Sequence, residues 1–315
     1  MARMVSLQNM MDRARRAADM ERSTVFISDA ELIDLLNEGV PELYDLLVAA
    51  YGEDYFHKTE LSTFTAAKVS YPLPADFFKL KGVDVESDTA NSGDWLPIRR
   101  FEERQRTMGE GYQSVASVWI EYRLRGATIE FKPPPADTRR YRAQYVPTAP
   151  VLVKETAAAA AVDAGDDTIT LTDHGLFTKH PVRVSTDDTL PAGLAASTTY
   201  YVIIVDADTI SLATSEENAD DGTAVDITDG GTGTHTVLSM FDGVNGWEKL
   251  PILTAAISML AKEESDTRAL ERERDRMWAR LERMADNRDQ GEPAVIQDVQ
   301  GDMEFDQSLL RWPPP

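Results

Sequence analysis

The chain has 315 residues, 42% hydrophobic and 27% charged, with no cysteine; this suffices for about two domains with apolar cores and excludes disulfides, thiolate zinc sites and cysteine nucleophiles. Its 32 basic and 54 acidic residues give a formal charge of −22, which excludes wrapping nucleic acid by neutralising phosphates. No apolar run reaches the roughly 18 to 20 residues of a membrane span, and the first residues lack the apolar core expected of a secretion signal.

In chain order, MARMVSLQNMMDRARRAADM reads as an amphipathic helix, with Arg13, Arg15, Arg16 and Arg22 among its polar residues. Ser28 and Glu31 then form a capping box ahead of an apolar period through Leu32, Leu36, Leu43, Leu47 and Ala50, which predicts a helix. Gly39-Val40-Pro41 interrupts it, and Pro41 predicts a kink or a fresh helix start. From Phe64 to Pro147 the period changes to two in KVSYPL, KLKGVDV, WLPIRR, SVWIEYRL, TIEFKP and RRYRAQYVP, a small antiparallel sheet or sandwich with its firmest hairpin at Arg125-Gly126. FEERQRTM predicts a short helix within it.

The next stretch is acidic. Residues 156–238 hold 14 acidic and 2 basic side chains, more than half the charge excess of the chain. AAAAAVDAGDD reads as a linker, followed by six strand-like runs (TITLT, VRVST, TTYYVIIV, TISLA, AVDITD and THTVL) at the spacing of a small all-β domain. Helical sequence returns from Trp247 to about Arg288, with an apolar stripe of Leu250, Leu253, Ile257, Leu260, Leu270, Met277, Leu281 and Met284 and a face of Glu and Arg. Gly291-Glu292-Pro293 ends it. The last residues carry Phe305, Leu309, Leu310 and Trp312 without a period, which suggests a tail that orders against a partner.

The prediction is an α+β protein: a helical bundle with a small antiparallel β-sheet, plus an inserted all-β domain. The divisions are an N-terminal segment at 1–27, a core at 28–155 and 239–293, an inserted β-module at 156–238 and an extended C-terminal docking tail at 294–315. Insertion suits a loop whose two ends lie close at a surface.

Several residues invite a chemical reading. VIIVDADTISL places Asp206 and Asp208 as a phosphatase of the haloacid-dehalogenase type would place its nucleophile. Such an enzyme needs a parallel sheet with crossover helices, magnesium and a later lysine; here short strands follow and the only basic residues of the stretch, Lys179 and Arg183, lie upstream. Asp-Ala-Asp is therefore read as a hairpin turn. His57, His174, His180 and His235 lack the spacing of a helical metal pair and read as loop or surface residues. Gly230-Gly231-Thr232-Gly233-Thr234 lacks the P-loop lysine and reads as a flexible turn. Glu216, Glu217, Asp220 and Asp221 lack the ordered spacing of a calcium loop and read as a solvated acidic rim. No catalytic residue, metal site or cofactor is expected.

SDAELIDLLNEGVPELYDLLVAAYGEDYF, YPLPADFFKLKGVDV, RRYRAQYVPTAP and WEKLPILTAAISMLAKEESDTRALERERDRMWARLERMADNRDQGEP, in that order, resemble the head-to-tail adaptor (connector) proteins of tailed bacteriophages. The stretches LPAGLAASTTYYVIIVDADTISLATS and GTAVDITDGGTGTHT resemble a β-module found within assorted phage structural proteins. The first resemblance implies a structural virion protein forming a dodecameric ring with its neighbouring copies. It implies docking under the portal protein, here through Phe305, Leu309, Leu310 and Trp312, extension of a channel for double-stranded DNA without sequence-specific binding, and a platform for a tail or nozzle protein. Assembly in the host cytoplasm and no membrane contact are expected. The alternative is a surface or glycan-binding protein acting through the β-module, where Tyr200 and Tyr201 are the clear aromatic candidates.

Overall fold

The computed structural model describes residues 4–21, 26–87, 93–102, 120–136, 138–243 and 246–285. The fold is α+β, with helices and antiparallel sheets gathered around three hydrophobic cores.

The first core is mainly helical. Strand β1 (Met4–Ser6) leads directly into α1 (Leu7–Ala17), whose N-cap Ser6 accepts from the Asn9 amide. Leu7, Met10, Met11 and Ala14 are buried, while Arg15, expected on the polar side, is itself buried and bonds the Ile27 carbonyl and Asp29 at 3.0 Å. In α2 (Asp29–Tyr51) the expected cap is present: Ser28 Oγ accepts from the Glu31 amide at 3.2 Å, and Gly52, at φ 82°, ends the helix. The fresh start expected at Pro41 is absent, because α2 is one helix with Pro41 inside it. Gly39 supplies the physical reason. It lies buried where α4 (Lys249–Lys262) crosses, and a Cβ there would stand 2.8 Å from Pro251 Cα. Close packing at that crossing offsets the backbone bond that proline removes.

The helical run expected from Trp247 divides into α4 and α5 (Arg268–Ala285). Glu264 adopts a left-handed backbone at φ 61°, and Asp266 and Thr267 restart the helix, Asp266 accepting from the Arg268 amide and Thr267 Oγ1 donating to Glu271. Within the expected stripe Leu250, Leu253 and Leu281 are buried, whereas Met284 is exposed. Helices α1, α2, α4 and α5 share this core with Val5 of β1 and Phe241.

The second core lies between two sheets, the sandwich among the two alternatives that the sequence offers. Strands β2 (Lys58–Thr63), β8 (Arg140–Pro147), β4 (Phe77–Glu86) and β5 (Trp95–Pro97) form one in that order, and β3 (Ser70–Pro72), β7 (Thr128–Lys132) and β6 (Glu121–Arg125) the other. Between them Phe64, Tyr71, Phe131 and Tyr141 contact one another with centroids 4.8–5.9 Å apart. The β6–β7 hairpin turns at Gly126-Ala127, with Gly126 at φ 57°. The helix expected at FEERQRTM falls almost wholly outside the described residues.

The third core belongs to an eight-stranded antiparallel sheet, ordered β1-β15-β12-β13-β14-β11-β10, with β9 also on β15. Its strands are β9 (Lys154–Ala158), β10 (Val162–Asp163), β11 (Thr168–Thr170), β12 (Pro181–Thr186), β13 (Tyr200–Asp206), β14 (Thr209–Ala213) and β15 (Thr234–Asp242). Two expectations fail here. The alanine-rich stretch is not a plain linker: β9 pairs with β15 from Lys154↔Leu238 to Ala158↔Thr234, and Ala157 is buried. AVDITD forms no strand; its amides bond instead to Leu212 O, Asp167 Oδ1 and Ala192 O as it crosses the core over buried Ile227. The long β15 ties the layers together, its first half pairing β9 and its end pairing β1.

Candidate functional site

The Asp206-Ala207-Asp208 stretch is a hairpin turn between antiparallel β13 and β14. Asp206 Oδ1 accepts from the Asp208 amide and Asp208 Oδ1 from the Asp173 amide, both at 2.8 Å. These carboxylates hold loops together by taking amides that the strands leave unpaired.

Much of the acidity of residues 156–238 has this use. Asp163 takes the Gly165 amide, Asp167 the Ile227 amide, Asp187 the Thr234 amide, and Asp229 both the Ala192 and Gly231 amides, at 2.6–3.1 Å. Asp188 accepts from Thr232 Oγ1. The acids around α3 (Glu216–Asp220) differ. Asp220 pairs with Lys179, but Glu216, Glu217 and Asp221 are exposed and, among the described residues, their carboxylates accept no hydrogen bond. Among the described residues no three His, Asp or Glu side chains converge on a metal position.

The glycine run is a crossing of close-packed backbones rather than a flexible turn. A Cβ on Gly231 (φ 65°) would lie 2.4 Å from Thr189 O, and one on Gly230 2.9 Å from Ala159 O. Of the histidines read as loop or surface residues, His57 is exposed, His174 and His180 lie in loops but are buried, and His235 is buried within β15: the last three are 4%, 1% and 0% exposed. His174 Nδ1 accepts from the Leu176 amide, which leaves Nε2 to donate to Asp206 O at 3.2 Å and fixes the neutral tautomer. His235 Nε2 lies 2.9 Å from Gly230 O, and His180 Nε2 lies 2.9 Å from Ser239 Oγ. Burial holds the His180 imidazole down at about 4, with Lys58 acting in the same direction.

His180 belongs to a polar junction that sequence spacing does not disclose. Asp76 receives Tyr145 Oη at 2.7 Å and Lys58 Nζ at 2.8 Å, and Lys58 Nζ stands 5.3 Å from the Phe177 ring centroid. Burial raises the Glu60 carboxyl above its ordinary range, with Lys179 opposing the shift. Side chains of β2 thus meet Phe177, Lys179 and His180, more than a hundred residues later in sequence. Only assembled sheets could reveal them.

Two features place arginines at or near the surface. The outer face of the four-stranded sheet carries Arg140 paired with Glu86 and Arg142 with Asp84, both guanidinium groups stacking on Trp95 at 5.7 and 4.7 Å. The solvent side of α5 presents Arg268, Arg272, Arg276, Arg280 and Arg283, all exposed. Of the aromatic candidates for carbohydrate binding, Tyr200 is buried and donates no exposed ring, its hydroxyl accepting from the Ala195 amide. Phe305, Leu309, Leu310 and Trp312 lie outside the described residues. No described helix is long and apolar enough to cross a membrane.

A family model described as SU10 adaptor protein matches residues 5–176, more than half of the chain. The match begins in β1, upstream of the Ser28 cap, and ends before α3, α4 and α5. No curated protein matches the chain.

Proposed function

Because this chain belongs to the SU10 adaptor family of phage head-to-tail adaptor proteins, we propose that it assembles with neighbouring copies into a closed ring. That ring is dodecameric, docks beneath the portal protein, extends the DNA channel and carries the tail or nozzle protein. Family membership is the observation that carries the reading; it makes the chain a structural phage adaptor of the virion. A wedge of helices, read as a bundle, with sheets beside it suits a heterologous interface, which closes into a ring when its rotation does. The charge of −22 keeps passing DNA from adhering to the channel wall.

Residues 156–238 are proposed as an inserted β-module on a core formed by 28–155 and 239–293, and 294–315 as the portal-docking tail through Phe305, Leu309, Leu310 and Trp312. Assembly takes place in the host cytoplasm. Native mass of the full chain, alone and mixed with its phage's portal ring, tests the reading. Stepwise addition up to a fixed number of copies per portal supports it and counts the ring; a chain that neither self-associates nor binds the portal overturns it.

A further inference from the structure

Helix α5 buries one side only. Leu281 is buried and Leu270 and Met277 pack on the helical core. With about 100° per residue, Arg268, Arg272, Arg276, Arg280 and Arg283 fall within an arc of about 120° on the opposite side. Arg268 is held by Asp266 at 2.8 Å. Arg272 also acts electrostatically on Asp266, whereas among the described residues Arg276, Arg280 and Arg283 form no ion pair. Three unneutralised guanidinium groups on one helix face are an anomaly in a chain of charge −22.

The same chain carries a complementary surface. Asp163, Asp167, Asp187, Asp206, Asp208 and Asp229 are engaged by backbone amides, but Glu216, Glu217 and Asp221 around α3 are exposed and uncommitted. The two surfaces sit on different layers: α5 packs on α2 and α4, whereas α3 packs on β13 and β14. A head-to-tail ring asks each copy for two unlike faces that fit each other, and here the charges of the two faces are opposite.

We propose that the arginine face of α5 seats against the acidic α3 corner of a neighbouring copy. This rests on the ring reading above and names the contact that builds it. Duplex DNA is the poorer occupant, because the few free arginines would have to bind phosphate within a strongly acidic surround.

Charge reversal in full-length chains tests the contact. One variant carries R272E, R276E and R280E; the other carries E216K, E217K and D221K. All six positions are exposed, and circular dichroism checks that each variant is folded. Assembly is read by sedimentation velocity of the chain alone and by native mass on the portal ring. Each variant alone is expected to associate about tenfold more weakly or worse. An equimolar mixture is expected to recover, because every interface in an alternating ring then pairs opposite charges; an alternating ring closes only with an even number of copies. The chain has no cysteine, so mixed single-cysteine variants R276C and E217C give a second readout: oxidation should yield the mixed disulfide about tenfold over either homodimer.

Wild-type assembly accompanied by unimpaired reversal variants overturns this inference and leaves the ring reading standing. So does a mixture that fails to recover, or loss of duplex retention by the arginine variant with assembly unchanged. A wild-type chain that assembles under neither condition, with no mixed disulfide, overturns both.

Discussion

Tyr145 donates its phenolic hydrogen to Asp76 Oδ1 at 2.7 Å, joining β8 to the turn before β4, and both side chains are buried. The same carboxylate accepts from Lys58 of β2, so one aspartate fastens three parts of the sheet. Burial raises the Tyr145 hydroxyl well above its ordinary value, and the Asp76 bond reinforces the shift. Asp76→Ala strands a buried hydroxyl and an ammonium group together, and the expected loss is about 3 kcal/mol. Tyr145→Phe removes only one bond and should cost about 1 kcal/mol. Urea denaturation of the two single variants and the double variant measures both losses and the coupling; a double variant losing the plain sum would show that the bond contributes nothing.

His180 predicts a pH dependence of stability. Its folded value of about 4 lies below the ordinary histidine value of 6.5. The unfolded chain therefore binds the proton more readily, and stability falls as pH drops through the window from about 6.5 to about 4. The two values imply a loss of about 3 kcal/mol across that window. His180→Gln should flatten this component of the slope. An unchanged slope between pH 6.5 and 4 would show that other groups control the dependence.

What the sequence disclosed was what depends on near neighbours. Ser28 caps its helix through Glu31, three residues on, and Gly126 marks its hairpin by a backbone only glycine adopts easily. Ala157 and Ala158 were read within AAAAAVDAGDD as a linker because their strand character comes from β15, some eighty residues away. The buried histidines were missed for a related reason. An imidazole is accepted in a core when a particular carbonyl, amide or hydroxyl reaches it, and such partners as Ser239 for His180 are set by tertiary pairing. The fresh helix start weighed at Pro41 does not occur, because helix propensity is a weak prior where an opposing helix packs hard against the same turn.

Asp206 and Asp208 distinguish a clamp from a catalyst. As clamps they need only an acceptor oxygen, so Asp206→Asn and Asp208→Asn should each stay within about 0.5 kcal/mol of the parent. The Asp206→Ala and Asp208→Ala variants, lacking the acceptor, should each lose about 1 kcal/mol. Thermal unfolding resolves the two classes. Magnesium-dependent release of phosphate from p-nitrophenyl phosphate, lost in Asp206→Asn, would reinstate the catalytic reading.

Gly39→Ala sets propensity against packing. In an open helix the change would stabilise by about 1 kcal/mol, since alanine restricts the unfolded chain and favours the helix. Here the added carbon would stand 2.8 Å from Pro251 Cα and 3.2 Å from Thr254 Cβ. The nearest atom is backbone on a packed helix, so α2 and α4 must separate by a few tenths of an ångström along their shared core. Overpacking of this kind costs about 1–3 kcal/mol, which cancels or exceeds the propensity gain. The variant should therefore unfold at lower denaturant, with an unchanged m-value because no additional surface is exposed. A more stable Gly39→Ala would mean that the crossing has slack and that Pro41 is tolerated in α2 for another reason.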